Sequence, residues 1–327
     1  MLNGALVSTL AGIAGLVFAV LASTQAAAQV YPSKPVRIIV GFPPGGTSDG
    51  AARLVAEGLS AEWKQSVIIE NKPGAGTTIA AAYVAAAPPD GYTLLLMAPG
   101  THSVSSALYR NLSYDVVKNF AGVGQLAQSA FVIAVNSASS IRSMKALLEQ
   151  ARARPGQVSY SSSGSGAGPH LVTEMIALAT GFRFLHVPYK GSAPATVALI
   201  AGQVDFTSSD ASITPHIQSG KLRGLAVTTP KQSQLFPGIP TLAEAGVPGV
   251  EYVLAVGIAA PAGTPRDVIL KLSGAVGRIV ASDGFKTRIN GLGLEPAQLN
   301  ADEFDAFLAS EARKYAKLVK DIGLKLE

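Results

Sequence analysis

Three glycine-rich segments, at residues 41–49, 71–77 and 161–168, each follow a short apolar run and precede a stretch with helical spacing of apolar residues. A strand that leads into a helix through such a loop is the unit of α/β folds, so this repetition constrains the fold strongly. Glycines and hydroxyls leave backbone N–H groups accessible, and a following helix directs the positive end of its dipole at the loop. The only charged residues in the three segments are Lys72 and Asp49. This chemistry favours binding of a small anion over catalysis.

The strand–loop–helix unit occurs in both halves of the chain, which predicts an α/β fold of two lobes whose loops face a shared ligand cleft. In open α/β sheets, ligands bind outside the carboxyl ends of the strands, where these loops would lie. We expect the chain to cross to the second lobe near residues 125–130 and to return near Thr228, which makes two crossover connections and a hinge. The predicted first lobe comprises residues 29–127 and 228–327, and the predicted second lobe comprises residues 128–227.

Apolar patterns and capping residues assign individual elements. The pattern predicts a strand over Val36–Val40 and a helix over Met144–Ala153. Asn300 with Glu303 resembles a capping box at the start of a long amphipathic helix. Asp49 is predicted to cap the helix that follows the first loop.

The start of the chain has the features of an export signal. The first charged residue is Lys34, and the segment before it is mostly apolar from Ala5 to Ala22 and has an A-x-A pattern at residues 26–28. We predict a secretory signal peptide over residues 1–28, with an uncleaved anchor helix as the alternative. The chain contains no cysteine, which excludes disulfides and the acylated cysteine of a lipoprotein. Together these features predict a protein of the bacterial periplasm.

Charge and histidine placement exclude several classes of function. The formal net charge is +5, but the basic residues are scattered and not interleaved with aromatics, so we expect no nucleic-acid partner. A mild positive field suits an anionic ligand, although a protein with an ordinary basic surface would have the same net charge. The four histidines lack metal-ligand spacing, so we expect no metal site and no cofactor. The loops also lack the motifs of a P-loop, a dinucleotide fingerprint and a nucleophile elbow.

Seven short motifs occur in one order along the chain. At residues 36–46, 70–76, 88–93, 186–191, 220–223, 240–246 and 260–265 they read VRIIVGFPPGG, ENKPGAG, PPDGYT, HVPYKG, GKLR, PTLAEAG and APAGTP. In this order they resemble the substrate-binding proteins of tripartite tricarboxylate transporters, the Bug family. The resemblance runs from about Tyr31 to the C-terminus, and each motif is weak alone whereas the ordered set is specific.

The resemblance implies a monomeric, two-lobed periplasmic binding protein of a type II-like fold, not an enzyme, that delivers a small organic acid to the membrane subunits of a transporter. Family ligands include di- and tricarboxylates, acidic amino acids and aromatic acids. Their carboxylate is typically held by backbone amides, hydroxyls and bridging waters rather than by arginine. The ligand-binding residues that the resemblance carries over to the first loop and the second-lobe loop are Phe42, Pro43, Gly45, Gly46, Thr47, Ser162, Ser163, Gly164 and Ser165.

Five further residues are candidates for the ligand site. Gly76 and Thr77 belong to the second loop, where many family members have another glycine in place of Thr77. His102 follows a strand and is predicted to face the cleft, with a surface loop as the alternative. Tyr189 offers a wall of the pocket or else belongs to a structural turn. Asp210 can accept a hydrogen bond from a ligand hydroxyl or amine, and the sequence departs from the family pattern there, so the identity of the ligand stays open.

Two other functions remain open on the sequence. A ligand-responsive sensor, or an orphan binding protein, would use the same cleft without a role in transport. A serine hydrolase would need Ser163 or Ser165 as nucleophile with His170 as base.

Overall fold

The structure, a computed structural model, describes residues 31–109 and 111–323, which form two lobes of α/β structure. The predicted signal peptide lies outside the described residues. Within the described ranges, no helix combines the length and the apolar content that a membrane crossing needs.

The strands belong to a sheet of six strands and a sheet of five. In chain order they are β1 (Val36–Val40), β2 (Val67–Asn71), β3 (Thr93–Met97), β4 (Phe120–Ala130), β5 (Val132–Asn136), β6 (Ser159–Ser162), β7 (Leu185–Pro188), β8 (Phe206–Ser209), β9 (Leu222–Val227), β10 (Val253–Pro261) and β11 (Glu295–Pro296). The first-lobe sheet has the order β11-β4-β10-β3-β1-β2, and the second-lobe sheet has the order β7-β6-β8-β5-β9.

Helices cover the faces of both sheets. In chain order they are α1 (Thr47–Trp63), α2 (Thr78–Ala85), α3 (Pro99–Leu108), α4 (Met144–Ala153), α5 (Gly168–Thr180), α6 (Ser192–Ile200), α7 (Thr214–Gln218), α8 (Arg266–Ala281), α9 (Asp283–Gly291) and α10 (Ala301–Ile322). Short 3-10 turns precede α2 and α7, at Ala75–Thr77 and Ala211–Ile213.

The two sheets repeat one arrangement. In each, a strand that leads into a glycine-rich loop has two parallel neighbours, so that β2-β1-β3 corresponds to β7-β6-β8. The next strand in each sheet, β10 or β5, runs antiparallel to this group. The loops after β1 and β6 therefore leave their sheets at equivalent positions.

Apolar side chains cover both faces of the central strands. In β1, Val36, Ile38 and Val40 belong to one core cluster, and Ile39 belongs to the cluster on the opposite face. Strand β5 divides its side chains between two clusters in the same way. Strands that are buried on both faces have continuous apolar sequences, which is why β1 was predictable. These strands give the loops at their ends a rigid base.

Two segments connect the lobes, and they meet at a hinge. Strand β4 runs into β5 through Phe131, while the second segment runs from β9 through Thr228 to Tyr252 and β10. The Thr228 N–H donates to the Phe131 carbonyl at 2.9 Å, and the Tyr252 N–H donates to the Thr228 carbonyl at 3.0 Å. The buried Thr228 hydroxyl also donates to the Tyr252 carbonyl at 2.7 Å. Both crossovers are therefore joined at one point, which is the expected position of the hinge.

The fold predicted from the sequence, two α/β lobes joined by two crossovers, is confirmed. Strand β1 and helix α4 have the predicted bounds, and the capping box of Asn300 and Glu303 is present at the start of α10. The elements that were not predicted are β4, β10, β11, α3, α6, α7 and α9. The lobe boundaries at residues 128 and 228 stay a prediction, and β4 remains paired with β10 as far as Ala130.

Candidate ligand-binding site

The first and third glycine-rich loops lie at equivalent places in the two lobes. Residues 41–46 connect β1 to α1, and residues 163–167 connect β6 to α5. Because β1 and β6 occupy the same position in their sheets, both loops emerge at the carboxyl end of an equivalent strand. Open α/β sheets bind their ligands at this position.

The first loop exposes the N-terminus of α1. Gly46 is the N-cap, so the prediction that Asp49 caps this helix is wrong. Gly50 donates the first helical hydrogen bond to the Gly46 carbonyl at 2.9 Å, and the N–H groups before it have no partner within the helix. Residues 43–47 are exposed, whereas Phe42 is half-buried against the core. The loop thus presents backbone donors and the positive end of a helix dipole.

Asp49 braces this loop through its buried carboxylate. The carboxylate accepts the Gly45 N–H at 2.9 Å, the Asn71 amide at 2.8 Å and the Arg53 guanidinium at 2.8 Å. The Asn71 amide also donates to the Phe42 carbonyl at 3.0 Å, so the start and the end of the loop are both fixed. Burial acts to raise the pKa of Asp49, but the hydrogen bonds from its partners outweigh burial and hold the pKa below its ordinary value. The carboxylate is therefore ionised at neutral pH.

The second-lobe loop begins with a buried serine. Ser162 has no exposed surface, and its Oγ lies 2.6 Å from the Nε2 of His186 and accepts the Gly164 N–H at 3.2 Å. Ser163 and Gly164 are half-buried, and Ser165 is exposed. The buried serine holds the loop, and of the next three residues Ser165 lines a cavity between the lobes.

Helix α5 begins in the same manner as α1. Ala167 is the N-cap and accepts the N–H of Leu171 at 3.1 Å, while Pro169 occupies the first turn. The start of this helix packs on the hinge, since a Cβ on Gly168 would lie 2.5 Å from a ring carbon of Phe131. The N-terminus of α5 therefore lies in direct contact with the crossover residue Phe131.

Two cavities are lined by residues of both lobes. The smaller, of about 210 Å³, combines Thr47 of the first loop with Asp210 of the second lobe. The larger, of about 420 Å³, combines Gly76 and one face of α3 with Ser165 of the second-lobe loop. Asp210 is the one charged side chain among the described residues that line these two cavities. Across residues 31–109 and 111–323, no group of His, Asp and Glu is arranged to hold a metal ion.

The structure brings four predicted ligand residues to these cavities: Thr47 and Asp210 line the smaller, and Gly76 and Ser165 line the larger. Tyr189 is half-buried, and its N–H donates to the last carbonyl of β6 at 2.9 Å, which ties it to the second-lobe loop. The predicted residues that belong to the two loops but line neither cavity are Phe42, Pro43, Gly45, Gly46, Ser162, Ser163 and Gly164.

Two predicted ligand residues are buried instead. His102 has no exposed surface, its Nδ1 lies 2.9 Å from the Ala98 carbonyl oxygen, and burial lowers its pKa to about 4. Thr77 is 3% exposed and packs against Gly41, where an added Cβ would lie 2.8 Å from the Cβ of Thr77. Its φ is +77°, a conformation that favours glycine. Neither side chain reaches the cleft, so we remove both from the proposed site.

Sequence reasoning missed the wall that α3 and the hinge contribute. Ser105 of α3, Tyr109 at the C-terminal cap of α3 and Tyr252 of the crossover line the larger cavity. The Ser105 hydroxyl donates to the Gly76 carbonyl at 2.6 Å, which fixes the second glycine-rich loop against this wall. A signal was present, because Pro99 follows β3 and stands in the first turn of a helix.

The serine contacts do not form a nucleophile–base pair at the cleft. The Nδ1 of His170 accepts a backbone N–H of the loop at 2.9 Å rather than pairing with Ser163 or Ser165. The serine–imidazole hydrogen bond of this loop joins Ser162 to His186, and that hydroxyl has no exposed surface. A hydrolase needs an accessible serine activated by a base, so the geometry favours binding.

Comparison with known proteins agrees with this geometry. Residues 51–324 match the family described as the tripartite tricarboxylate transporter family receptor. BugT of Bordetella pertussis is 34% identical over 305 residues, which cover 92% of this chain and 93% of BugT. An R. palustris protein solved with adipate has 35% identity and a TM-score of 0.76, over 90% of this chain and 99% of that chain. The periplasmic binding protein BugD has 34% identity and a TM-score of 0.73, over 91% and 100%.

These relatives are binding proteins rather than enzymes, in agreement with two cavities whose lining side chains are neutral except for Asp210. The matched region spans both lobes and includes the second-lobe loop. The chain belongs to the receptor family of tripartite tricarboxylate transporters, the Bug-type periplasmic solute-binding proteins.

Proposed function

We propose that the chain captures a small carboxylate between its lobes in the periplasm and delivers it, as a monomer, to the membrane subunits of a tripartite transporter. The observation that carries the proposal is the pair of equivalent loops, each of which presents the N-terminus of a helix, α1 or α5. Helix N-termini bind anions through backbone N–H groups and the helix dipole. The adipate complex of a similar protein supports a carboxylate as the ligand.

The donors on the loops are sufficient for tight binding without an arginine. A hydrogen bond to a charged group contributes about 1.5–3 kcal/mol net, and a helix terminus adds about 0.3–1 kcal/mol. Four such donors with closure of the cleft, after the cost of association, give roughly −8 kcal/mol, a Kd of about 1 µM. The first loop and the second-lobe loop therefore need no positively charged side chain to bind an anionic ligand.

Asp210 defines the other end of the proposed ligand. Its carboxylate lines the smaller cavity with Thr47 and accepts the Ser212 N–H at 3.0 Å at the turn after β8. A carboxylate repels a second carboxylate and attracts a hydroxyl or ammonium donor. We therefore assign the ligand carboxylate to the two loops and a hydroxyl or amine to the neighbourhood of Asp210.

The proposed contacts divide into groups that touch the ligand and groups that hold the loops. The proposed ligand contacts are Pro43, Gly45, Gly46, Thr47, Gly76, Ser163, Gly164, Ser165 and Asp210. Phe42, Ser162 and Tyr189 support the loops from their buried side.

A thermal-shift screen of the protein from residue 29, unfolded and refolded to remove any bound ligand, tests binding. The panel contains monocarboxylic, dicarboxylic, tricarboxylic, aromatic and amino acids. A ligand at about a hundred times its Kd should stabilise the fold by about 2.7 kcal/mol, and amidation of its carboxylate should abolish the shift. Refolded protein that responds to no acid contradicts the carboxylate assignment.

Uptake measurements test the transport role. Deletion of the gene should abolish uptake of the identified acid by intact cells, and the wild-type gene should restore it. Unchanged uptake in the deletion strain contradicts a role in transport and favours the sensor alternative.

A further inference from the structure

Two stacked histidines adjoin the second-lobe loop. The rings of His170 on α5 and His186 on β7 are 4.1 Å apart between centroids and 7° from parallel. The Nδ1 of His170 accepts the Gly166 N–H at 2.9 Å, and the Nε2 of His186 lies 2.6 Å from the Oγ of Ser162. Each imidazole therefore holds the loop through one nitrogen.

The two hydrogen bonds respond differently to protonation of the imidazole ring. A backbone N–H can only donate, so the Nδ1 of His170 must stay unprotonated to accept from Gly166. A hydroxyl can donate or accept, so the contact of Ser162 with His186 survives in either protonation state, with the hydroxyl proton turned to the Gly164 carbonyl 3.2 Å away. Only the His170 contact is lost on protonation.

Three titratable groups face the His170 ring from the elements packed around it. Glu174, one turn along α5, places Oε1 3.8 Å from Nε2, where it attracts an imidazolium, and it also accepts the Tyr160 hydroxyl at 2.9 Å. The ring of Tyr160 on β6 lies 6.5 Å from the ring of His170, and the ring of His186 on β7 stacks on the His170 ring. Burial lowers the pKa of His170 below its ordinary value of 6.5, and burial together with the charge of His170 lowers the pKa of His186 to about 4. Both rings are therefore neutral at neutral pH and become protonated only in acid.

We propose that His170 is a positioning residue: its neutral imidazole holds the second-lobe loop in the ligand-binding conformation, and its protonation releases the loop and weakens ligand binding in acid. In the imidazolium both ring nitrogens donate, so the Gly166 N–H loses its acceptor and meets a second donor. Ser165, the preceding residue, lines the larger cavity between the lobes, so release of the loop reaches the ligand directly. The consequence for binding rests on the proposed function, whereas the effect on the loop does not.

Spectra of the ligand-free protein test the loop by itself. In proton–nitrogen NMR of glycine-labelled protein, the Gly166 amide should shift as the pH falls below 6.5, the ordinary pKa of histidine. In His170→Asn the Oδ1 takes the place of Nδ1 and does not titrate in this range, so the Gly166 amide should stay hydrogen-bonded and should not move. His216→Asn, a matched change on α7, should keep the wild-type titration. A Gly166 amide that titrates equally in wild type and His170→Asn, or that does not titrate in wild type, overturns the inference.

Calorimetric titration links the loop to the ligand. His170→Phe keeps a ring against His186 but lacks the acceptor, so it should bind the tightest binder among adipate, malate and citrate about tenfold more weakly than wild type at neutral pH. His170→Asn should bind within about twofold of wild type and, as pH is lowered, should lose less affinity than wild type. Protonation of the ligand itself affects both proteins equally, so the ratio of their affinities isolates His170. A ratio that stays constant with pH overturns the inference.

The two proposals fail in distinguishable ways. If none of the three acids binds to any variant, the proposed function fails, and the Gly166 spectra still decide the role of His170. If His170→Phe does not fold, the comparison of wild type with His170→Asn carries the test, because both contain the acceptor.

Discussion

Replacement of Asp49 by alanine tests whether a buried carboxylate, and not the glycines alone, shapes the first loop. Asp49 is 1% exposed and accepts hydrogen bonds from Gly45, Asn71 and Arg53. The Arg53 side chain is 53% exposed, so this partner contributes little. The effect of the substitution therefore depends on the bonds from Gly45 and Asn71, which hold the loop itself.

The size of the effect follows from these two bonds. A hydrogen bond to a charged acceptor contributes about 1.5–3 kcal/mol net, and water entering at the exposed Gly45 recovers part of the loss. We expect Asp49→Ala to lower the free energy of unfolding by about 2–4 kcal/mol, or roughly 4–10 °C in Tm. Asp49→Asn, which can still accept from Gly45 but opposes the Asn71 amide, should fall between wild type and alanine. Ligand affinity should decrease in the same order, because the loop no longer holds its donors in place.

Urea unfolding gives the stability, and calorimetry with the identified acid gives the affinity. Glu149→Ala, which removes an exposed carboxylate on α4, is the matched control and should stay within about 0.5 kcal/mol of wild type. The pKa of Asp49 lies below its ordinary 3.8, so its contribution is complete above that pH and is lost as the pH falls through the lower native value. Stability of Asp49→Ala equal to that of the control, with unchanged affinity, would refute the role of Asp49 in shaping the loop.

Substitutions at four other positions test the site and its surroundings. Gly46 has a φ of −79°, and an added Cβ would meet only the Pro43 carbonyl, at 3.7 Å, so both Gly46→Ala and Gly46→Phe should leave Tm nearly unchanged. In calorimetry, Gly46→Ala should keep ligand binding, whereas Gly46→Phe should abolish it. Thr77→Gly should raise the free energy of unfolding by about 1 kcal/mol in urea, because it relieves a positive φ and removes a buried hydroxyl that has no partner among the described residues. Asp210→Asn should raise the affinity for adipate relative to malate about tenfold, and an unchanged ratio contradicts the placement of the polar end of the ligand. Burial lowers the pKa of His102 to about 4 from 6.5, so the stability that this neutral ring contributes is complete above pH 6.5 and is lost as the pH falls towards 4. Between these two pH values, His102→Asn should reduce the slope of the unfolding free energy against pH by up to about 1.4 kcal/mol per pH unit.

Elements with a strong local pattern were predictable, and elements without one were not. The apolar run of β1 and the capped, amphipathic α4 match their predicted bounds. Helix α3 contains five Gly, Ser and Thr residues in ten positions, and these residues have low helix propensity. Strand β10 is rich in alanine and contains Gly257, which leaves space for the Phe304 ring. Their structure depends on contacts with distant parts of the chain.

In the candidate site, too, some residues were predictable from the sequence and others were not. The donor loops were visible in the sequence because glycine and hydroxyl residues mark them, but the side chains that hold them come from distant positions. The error at His102 has a geometric cause: Thr101 and Ser105, one turn apart, line the larger cavity, and the adjacent residue points about 100° away around the helix, into the core. Because α3 itself was not predicted, the side of this helix that faces the cleft could not be predicted either.

The two loops present similar donors but are held by different chemistry, and this difference gives them different responses to acid. The first loop is held by Asp49, whose pKa lies below its ordinary value, so its brace persists through mild acid. The second is held by an imidazole that must stay neutral to accept from Gly166. Under the proposed function, protonation therefore disables the second lobe while the first lobe still offers its donors, and closure of the cleft, which needs both, is lost. We expect the Gly45 amide, bound to Asp49, to keep its resonance position over the pH range in which the Gly166 amide moves; parallel movement of both would show that the loops do not respond separately.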